Sequence, residues 1–315
     1  MSTARINRLF LAGAREAAGV EVVAVASRDG KKAHEYAREQ GIERAHGSYE
    51  SLLADADVEV VYISLPNSLH LEWSVRALEA GKHVLCEKPL GRRAADVRAA
   101  FDVAEREGRL LMEAFMYRHN PQTQRVMELI AAGSIGPLRL VRSAFSFSAQ
   151  SAVDIRLSTE LDGGALMDVG CYCVNATRLI AGEPRRVQAE QILGGDGVDV
   201  SFVAAMRCPA DVVAHFDTGI TMAERDQLEV VGEEGTLFLD DPWHCREPVI
   251  ELRREQGVER IQLEAHDSYR LEAENMSAAI RGHAVPLLGR ADAVAQATVI
   301  EALYQSASSG EAVVP

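Results

Sequence analysis

A lysine follows the predicted end of a short apolar strand. The strand covers 83–86, and Lys88 stands directly before Pro89, which cannot continue a strand ladder. Open α/β sheets bind ligands at the carboxyl ends of their parallel strands. A lysine there can donate a hydrogen bond to a substrate oxygen and favour the charged form of a neighbouring acid. The alternative is an ordinary surface lysine, which this context disfavours.

A second group of polar residues lies in the predicted helix 168–181. Asp168 and Tyr172 are four residues apart, a spacing that places both on one helical face. A tyrosine pKa of about 10 is too high for a good base at neutral pH, but a nearby Lys88 ammonium would lower it. We expect Tyr172 to exchange a proton with the substrate and Asp168 to orient the substrate. Asn175 is a further contact candidate. In the alternative, Tyr172 is an aromatic residue of the core and Asp168 is a helix cap.

Two different patterns divide the chain. The first 120 residues alternate apolar strands with amphipathic helices, which is typical of parallel βαβ units. The predicted strands there are 20–26, 58–65, 83–86 and 110–114, and the helices are 31–40, 70–80 and 94–107. After residue 120, a helix at 122–132 leads into a succession of predicted strands, which only the helix 168–181 interrupts before two closing helices at 268–281 and 292–308. That succession indicates a mainly antiparallel sheet.

These patterns predict an α/β protein with two domains. Residues 1–120 would form a Rossmann-type dinucleotide-binding domain with a parallel sheet. Residues 121–315 would form an α+β domain that binds substrate and carries a large, open, mainly antiparallel sheet. An open sheet of that size needs a cover for its outer face. A second copy of the chain is the simplest cover, so we expect a homodimer or homotetramer.

Composition excludes several classes of protein. The 315 residues include 47 acidic and 33 basic side chains, and a net charge of −14 argues against a nucleic-acid partner. No apolar run approaches the ~20 residues that cross a bilayer, and no signal peptide is evident. The five cysteines form no C-x-x-C motif, and the histidines lack ligand spacing. We therefore expect no metal, no disulfide, no membrane and a cytoplasmic location.

Four motifs in order resemble those of the glucose-fructose oxidoreductase, inositol dehydrogenase and MocA (Gfo/Idh/MocA) family. They are PNSLH at 66–70, GKHVLCEKP at 81–89, EAFMYR at 113–118 and GGALMDVGCY at 163–172. Together they span most of the chain. The last motif places Tyr172 four residues after Asp168 and is similar to one branch of the family. That branch contains glucose-fructose oxidoreductase, NADP-dependent xylose dehydrogenases and dimeric dihydrodiol dehydrogenase.

The resemblance implies an oxidoreductase that acts on CH–OH groups. Hydride would pass between a nicotinamide cofactor and a carbinol or carbonyl carbon of a sugar or cyclic diol, with Tyr172 as acid/base assisted by Lys88. The implied cofactor contacts in the strand-end motifs are Leu65, Pro66, Asn67, His70, Glu87 and Lys88. The implied substrate contacts are Lys88, Arg118, Asp168, Tyr172 and Asn175. His70 could instead simply begin a helix, and Arg118 could be a surface arginine.

The end of the strand 20–26 bears on the choice of cofactor. NAD enzymes usually place an acid there to accept from the ribose 2′-hydroxyl. By resemblance that position is Ser27, with Arg28 and Lys32 close by, and a hydroxyl with two cations suits a 2′-phosphate. We therefore expect NADP(H) in preference to NAD(H). NAD(H) stays open as the alternative, because a small shift in register would place the carboxylate of Asp29 where it accepts from the ribose 2′-hydroxyl.

The start of the sequence matches only the end of the family's phosphate loop. By resemblance Ser2, Thr3 and Ile6 would contact the cofactor, but the strand that should precede them is missing. We expect either a start further upstream or weak NADP binding. Two alternatives to the active enzyme therefore stay open. One is a non-catalytic NADP-binding regulatory protein on the same fold, and the other is an N-terminally truncated enzyme with impaired cofactor binding.

Overall fold

The computed structural model describes residues 1–149 and 154–315. They form two compact units. The first consists of 1–91, 95–116 and 267–294, and the second of 92–94, 117–266 and 295–315. Both units thus include residues from the C-terminal part of the chain. The contiguous boundary between 120 and 121 stays a prediction.

The first unit alternates strands and helices along its N-terminal part. Its strands are β1 (Ala24–Ala26), β2 (Arg44–His46), β3 (Val60–Ile63), β4 (His83–Glu87) and β5 (Leu111–Ala114). Its helices are α1 (Asn7–Glu16), α2 (Gly30–Gln40), α3 (Tyr49–Leu53), α4 (His70–Glu79) and α5 (Ala94–Glu107). All strand pairs are parallel, as the βαβ pattern predicts.

Local sequence signals explain where these helices begin and end. The Asp29 carboxylate caps α2 by accepting from the backbone N–H groups of Lys31 and Lys32. At the other end Gly41 adopts φ 61°, a left-handed conformation that costs glycine little. Ser48 caps α3 by accepting from Ser51 N. The observed α2 begins within one residue of the predicted helix 31–40 and ends with it, whereas α3 was not predicted.

The parallel strands of the first unit form two separate sheets. One contains β1 and β2, and the other has the order β3-β4-β5. Observed β1 covers three residues, whereas 20–26 were predicted, and β2 is its ladder partner in the described chain. Sheets of only two strands are less stable than larger sheets, which fits the short length of β1.

The second unit is dominated by one large sheet. Its elements begin with α6 (Pro121–Ala131), β6 (Leu138–Ser148) and α7 (Cys171–Ala181). The remaining strands are β7 (Arg186–Leu193), β8 (Asp199–Arg207), β9 (Val213–Gly219), β10 (Thr221–Gly232), β11 (Thr236–Leu239), β12 (Val249–Arg254) and β13 (Gly257–Gln262). Near the end of the chain α8 (Ser268–Ile280) belongs to the first unit, and α9 (Arg290–Ser309) follows.

The large sheet has the order β13-β12-β11-β10-β6-β9-β8-β7. Its pairs are antiparallel except for β6 and β9, which run parallel. The predicted fold class is therefore confirmed: a Rossmann-like parallel part is followed by a large, mainly antiparallel sheet. No helix in residues 1–149 and 154–315 is long and apolar enough to cross a membrane.

One face of the large sheet is open. Along β8 and β9 buried and exposed residues alternate, so that one face packs inward and the other does not. The outward residues Val203 and Val213 are 46% and 41% exposed, and Ala205 and His215 lie between them in register. An ion pair between Arg225 and Asp217 adds polar character to this face. The face combines apolar and charged groups, as protein interfaces do.

Candidate active site

The first half of the candidate site lies at the carboxyl ends of β3 and β4. Leu65, Pro66 and Asn67 follow β3, and Asn67 begins a short 3₁₀ turn that leads into α4. Glu87 is the last residue of β4, and Lys88 follows it with a cis peptide bond to Pro89. Because the two strands are parallel neighbours, both loops leave the same edge of the sheet. The structure thus brings these predicted residues together.

His70 connects the two loops. Its ring is 1% exposed; Nδ1 lies 2.9 Å from the Pro89 carbonyl oxygen and Nε2 lies 2.8 Å from that of Leu65. Both nitrogens therefore face backbone acceptors. Buried polar groups held in this way fix the segments that they join. In this geometry His70 positions the loops, and its predicted contact with the cofactor ribose stays a prediction.

The Glu87 carboxylate is held by the strand beside it. It accepts from the Tyr62 hydroxyl through Oε1, and Lys88 N donates to Oε2 over 3.3 Å. Burial, followed by the Glu87 charge, raises the pKa of Tyr62 well above its ordinary value. Burial also raises the pKa of Glu272 on α8, and Glu87 adds to this effect. No motif or spacing in the sequence points to Glu272, because α8 carries no local signal of packing in this unit.

The segment before α1 has the geometry of an anion site. Ser2 is buried, and its Oγ lies 2.8 Å from Ser64 Oγ. α1 begins without a side-chain cap. The backbone N–H groups of Thr3, Arg5 and Ile6 donate to no acceptor in the part of the chain that the structure describes. Unpaired donors at a helix N-terminus suit a phosphate group, so these residues fit the pyrophosphate of a dinucleotide.

The end of β1 presents a hydroxyl and two cations. Ser27 is buried and its Oγ accepts from Asp29 N over 3.2 Å, whereas Arg28 and Lys32 are exposed. The Asp29 carboxylate caps α2, accepting from Lys31 N at 2.9 Å and Lys32 N at 3.2 Å. Its role as a cap disfavours the alternative in which Asp29 is the ribose acid. The donors available at this turn fit a 2′-phosphate.

In the second unit Asp168 is paired with an arginine that the sequence analysis missed. Arg156 Nε lies 2.7 Å from Asp168 Oδ2, and Arg156 NH1 lies 3.2 Å from Asp154 Oδ1. The Asp168 charge raises the pKa of Arg156 against the effect of burial. Arg156 lies in a short turn without a family motif, so only the folded chain reveals the pair. The neighbouring residues 150–153 lie outside the described chain.

The predicted helix over 168–181 is wrong at its start. Residues Leu166–Gly170 form a π-helical turn, and the α-helix begins only at Cys171. Gly163 and Gly164 precede this turn, and Gly164 has φ +119° with Asp199 Oδ1 only 2.2 Å from the site of a Cβ. This close approach requires glycine. π turns are frequent at functional sites, and here the turn carries Asp168 just ahead of Tyr172.

Tyr172 is buried among aromatic rings. Its ring centroid lies 5.4 Å from that of Phe145, 5.8 Å from Tyr117 and 5.9 Å from Trp243. The side chain is 7% exposed. Aromatic neighbours at these distances fix the ring orientation. The phenol is therefore held rigidly at the start of α7, beside the turn that carries Asp168.

Asn175 and Arg118 are hydrogen-bonded to each other. Asn175 Oδ1 accepts from Arg118 NH1 over 3.0 Å and from the Tyr117 hydroxyl over 2.6 Å. Its Nδ2 donates to Gln296 Oε1 over 3.3 Å. Because Asn175 is fully buried and its amide has these partners, the geometry assigns it to holding Arg118. Its direct contact with substrate stays a prediction.

A further charged cluster lies beside the aromatic rings. His244 Nδ1 lies 2.6 Å from Asp226 Oδ2 and 3.6 Å from Asp241 Oδ1, and the three side chains together have metal-ligand spacing. Burial opposes a charge on His244, but its hydrogen bonds to both carboxylates outweigh burial and raise its pKa to about 9. An imidazolium between two carboxylates neutralises one of their two negative charges, and Arg246 Nε lies 3.5 Å from Asp241 Oδ2. The expectation of no metal is untested and stays a prediction.

Comparisons with known proteins identify the family. The model described as "Oxidoreductase family, NAD-binding Rossmann fold" matches residues 3–115, and "GFO/IDH/MocA C-terminal domain" matches 123–238. The chain is 39% identical over 320 residues to D-xylose 1-dehydrogenase (NADP(+)) 2 of Haloferax volcanii, covering 99% of this chain and 98% of that protein. This chain belongs to the Gfo/Idh/MocA family of oxidoreductases.

Other members of the Gfo/Idh/MocA family are similar to this chain. A trans-1,2-dihydrobenzene-1,2-diol dehydrogenase of Oryctolagus cuniculus is 37% identical over 229 residues, which cover 71% of this chain and 69% of that protein. The crystal structure of KijD10, a 3-ketoreductase from Actinomadura kijaniata in complex with NADP and TDP-benzene, superposes with a TM-score of 0.92 at 32% identity. It covers 97% of this chain and 95% of that one. The predicted family, oxidoreductase class and NAD(P)-binding Rossmann domain are confirmed.

The His244 cluster predicts a pH-dependent contribution to stability. A pKa raised in the folded state means that the charged imidazole stabilises the fold, fully below its unfolded value of about 6.5 and no longer above about 9. We expect His244→Gln to lower the Tm by roughly 1.5–3 °C at pH 6, because a charge-assisted hydrogen bond contributes about 1–2 kcal/mol at a partly exposed site. The Tm difference from wild type should decline as the pH rises through about 9.

Thermal unfolding from pH 6 to pH 10 measures this difference. The exposed His283 provides the control, and His283→Gln should leave the Tm within about 1 °C of wild type at each pH. A His244→Gln deficit that stays constant over this range would contradict an imidazolium between Asp226 and Asp241.

Proposed function

We propose that this protein is an NADP(H)-dependent oxidoreductase that acts on a sugar or cyclic diol. The bound nicotinamide supplies or accepts the hydride at C4. The observation that carries the proposal is the buried Tyr172, held among three aromatic rings directly after the π turn that bears Asp168. The identity of 39% to an NADP(+)-dependent D-xylose dehydrogenase over nearly the whole chain supports the same reaction class.

Tyr172 is the proton donor and acceptor in this proposal. During carbonyl reduction its hydroxyl would give a proton to the substrate oxygen while the carbon receives hydride, and oxidation of the alcohol would reverse both transfers. Lys88 would assist by favouring the phenolate that remains, because an ammonium stabilises a nearby negative charge. The aromatic rings around Tyr172 keep the hydroxyl in one orientation and exclude water from its ring.

Asp168 and its arginine partner would orient the substrate. The Asp168 carboxylate accepts from Arg156 through Oδ2 and can accept substrate hydroxyls through its other lone pairs. A carboxylate fixed by a guanidinium binds with less loss of side-chain freedom than a mobile one. Arg118, held by Asn175, would supply a cation for another substrate oxygen. These residues give the second unit a polar set suited to polyhydroxylated molecules.

Replacement of Tyr172 by phenylalanine tests the catalytic assignment. Tyr172→Phe keeps the aromatic packing and removes the hydroxyl, so we expect kcat to fall at least ~10²-fold while the Kd for NADPH stays within about 3-fold. Steady-state turnover on a panel of aldoses and trans-diols, with NADPH fluorescence titration, measures both quantities. Tyr304→Phe provides the control, since it removes a partly buried hydroxyl that donates to Asp199, and neither residue is among the proposed site residues.

The role of Lys88 is tested with the same assay. If Lys88 assists Tyr172, Lys88→Met should lower kcat strongly, and combining it with Tyr172→Phe should add less than about 10-fold. Near-full turnover of Tyr172→Phe would refute the acid/base assignment. NADPH binding without turnover by the unaltered chain over the whole panel would instead indicate the non-catalytic regulatory protein.

The preference for NADP(H) is proposed from the turn after β1. Arg28 is exposed there and would bind the 2′-phosphate, which NADH lacks. We expect Arg28→Ala to raise the Kd for NADPH about 10- to 100-fold, because a charge-assisted hydrogen bond contributes about 1.5–3 kcal/mol. The Kd for NADH should change less than about 3-fold. Lys31→Ala, which removes a nearby exposed cation paired with Glu35, is the matched control. Equal losses for both cofactors would contradict the proposed 2′-phosphate contact.

A homodimer or homotetramer through the open face of the large sheet is also proposed. Val203 and Val213 are exposed on that face, and covering such residues stabilises association. Sedimentation should give two or four times the chain mass of 34.3 kDa. The double variant Val203→Glu/Val213→Glu should shift the mass toward one chain, whereas Val285→Glu, altering a side chain that is 79% exposed in a loop, should not. A wild-type mass of one chain would rule out this assembly.

A further inference from the structure

A buried glutamine on α9 contacts one face of α7. Gln296 is 1% exposed and lies outside the four motifs. Its Oε1 accepts from Arg178 NH1 over 2.8 Å and from Asn175 Nδ2 over 3.3 Å. Its Nε2 donates to the carbonyl oxygen of Cys171 over 2.8 Å. These three partners are spaced i, i+4 and i+7 on α7, so a single side chain connects α9 to the whole of that face.

The orientation of the Gln296 amide is fixed by the guanidinium beside it. Arg178 donates through Nε and NH2 to the two carboxylate oxygens of Glu183, each over 2.9 Å, and this bidentate pair fixes the guanidinium plane. A guanidinium has no acceptor, so NH1 requires an oxygen, which Gln296 Oε1 supplies. Nε2 then faces the Cys171 carbonyl, which can only accept. A reversed amide would leave buried donors facing donors and buried acceptors facing acceptors.

The fixed amide of Gln296 in turn orients Asn175. Because Gln296 Oε1 can only accept, Asn175 presents Nδ2 to it. Asn175 Oδ1 is thereby directed toward the Tyr117 hydroxyl at 2.6 Å and toward Arg118 NH1 at 3.0 Å. A reversed Asn175 would place its Nδ2 against the Arg118 guanidinium, which offers donors only. The position of Arg118 therefore depends on Gln296 through Asn175.

The contact with the Cys171 carbonyl acts at the start of α7. Cys171 is the first residue of this helix, and it follows the π turn that ends at Gly170. No side-chain cap holds this end of the helix. The Gln296 Nε2 group thus connects α9 to the residue directly before Tyr172. A small displacement of a reacting group lowers the rate strongly, so this connection bears on proton transfer.

We propose that Gln296 is a positioning residue for both Arg118 and Tyr172. It holds Arg118 through the Asn175 amide, and it holds the start of α7 through a backbone carbonyl. This role rests on the proposed function, in which Arg118 binds substrate and Tyr172 transfers the proton. The two ends of the amide make separable contributions. Glutamate keeps the acceptor and lacks the donor, whereas methionine has a similar size and lacks both.

Replacement of Gln296 by methionine tests both contributions. We expect Gln296→Met to raise the KM of the best substrate in the aldose and diol panel at least ~10-fold and to lower kcat at least ~5-fold. The Kd for NADPH should stay within about 3-fold, because none of the proposed cofactor contacts belongs to this set. Gln305→Met, on the exposed side of the same helix, is the matched control and should leave all three constants within about 2-fold. Turnover is expressed per NADPH-binding site counted by fluorescence titration, so loss of folded protein does not lower kcat.

A double-mutant cycle tests whether Gln296 acts on substrate binding through Arg118. Arg118→Met removes the cation that Gln296 positions. Adding Gln296→Met to Arg118→Met should therefore raise KM by less than about 3-fold. Effects on KM that multiply in the double variant would overturn the positioning of Arg118, because Gln296 would then act on binding by another route.

Gln296→Glu separates the two ends of the amide and decides the question if Gln296→Met does not fold. The carboxylate still accepts from Arg178 and Asn175 but has no proton for the Cys171 carbonyl. We expect kcat to fall at least ~5-fold while KM stays within about 3-fold of wild type. Unchanged constants in both Gln296 variants would overturn the proposal and leave the proposed function intact. A wild-type protein without turnover on the whole panel would instead overturn the proposed function, and this role with it.

Discussion

The parallel pairing of β3 with β4 is the constraint on which the cofactor half of the site depends. Residues Val60 to Ile63 lie opposite His83 to Cys86, one to one. This register brings the loops after the two strands to one edge, where His70 contacts a carbonyl of each. Sliding the pairing by one residue would invert the faces of the strand. The motifs at 66–70 and 81–89 are far apart in sequence and become one surface only through this ladder.

The second unit depends instead on the neutralisation of buried charge. Asp168 is paired with Arg156, and Asp226 with His244, at distances of 2.7 and 2.6 Å. An unpaired carboxylate in such surroundings would lose solvation without compensation. The pairs therefore fix the orientation of both carboxylates. A polar site built in this way is organised before a substrate arrives, which lowers the entropic cost of binding.

Local patterns were sufficient to predict most of the fold. Strand and helix alternation, caps such as Asp29 and stops such as Gly41 act within a few residues, so the sequence reveals them directly. The four motifs likewise led to the correct family. The π turn at Leu166–Gly170 was missed because helical spacing alone does not distinguish a wider turn from an α-helix. The short length of β1 was missed because strand length depends on neighbouring strands as well as on composition.

The residues that sequence reasoning missed share one property. Arg156 and His244 lie outside the four motifs, and each becomes informative only through a carboxylate distant in sequence, 12 residues away for Arg156 and 18 for His244. Glu272 likewise lies on a helix whose sequence resembles any surface helix, yet it is fully buried. Periodicity reports which face of an element is apolar, but not which other element covers it. Partners of buried charges are therefore the part of a site that requires a three-dimensional structure.

The turn before α1 is held by a buried network of side-chain hydrogen bonds. Ser2, Asn7 and Ser64 form a buried network in which Asn7 Nδ2 donates to Ser2 O over 2.8 Å and Ser64 Oγ donates to Asn7 Oδ1 over 2.6 Å. These bonds connect the turn to the end of β3. Because α1 begins without a side-chain cap, the geometry of this turn depends on the buried polar network and not on a capping residue.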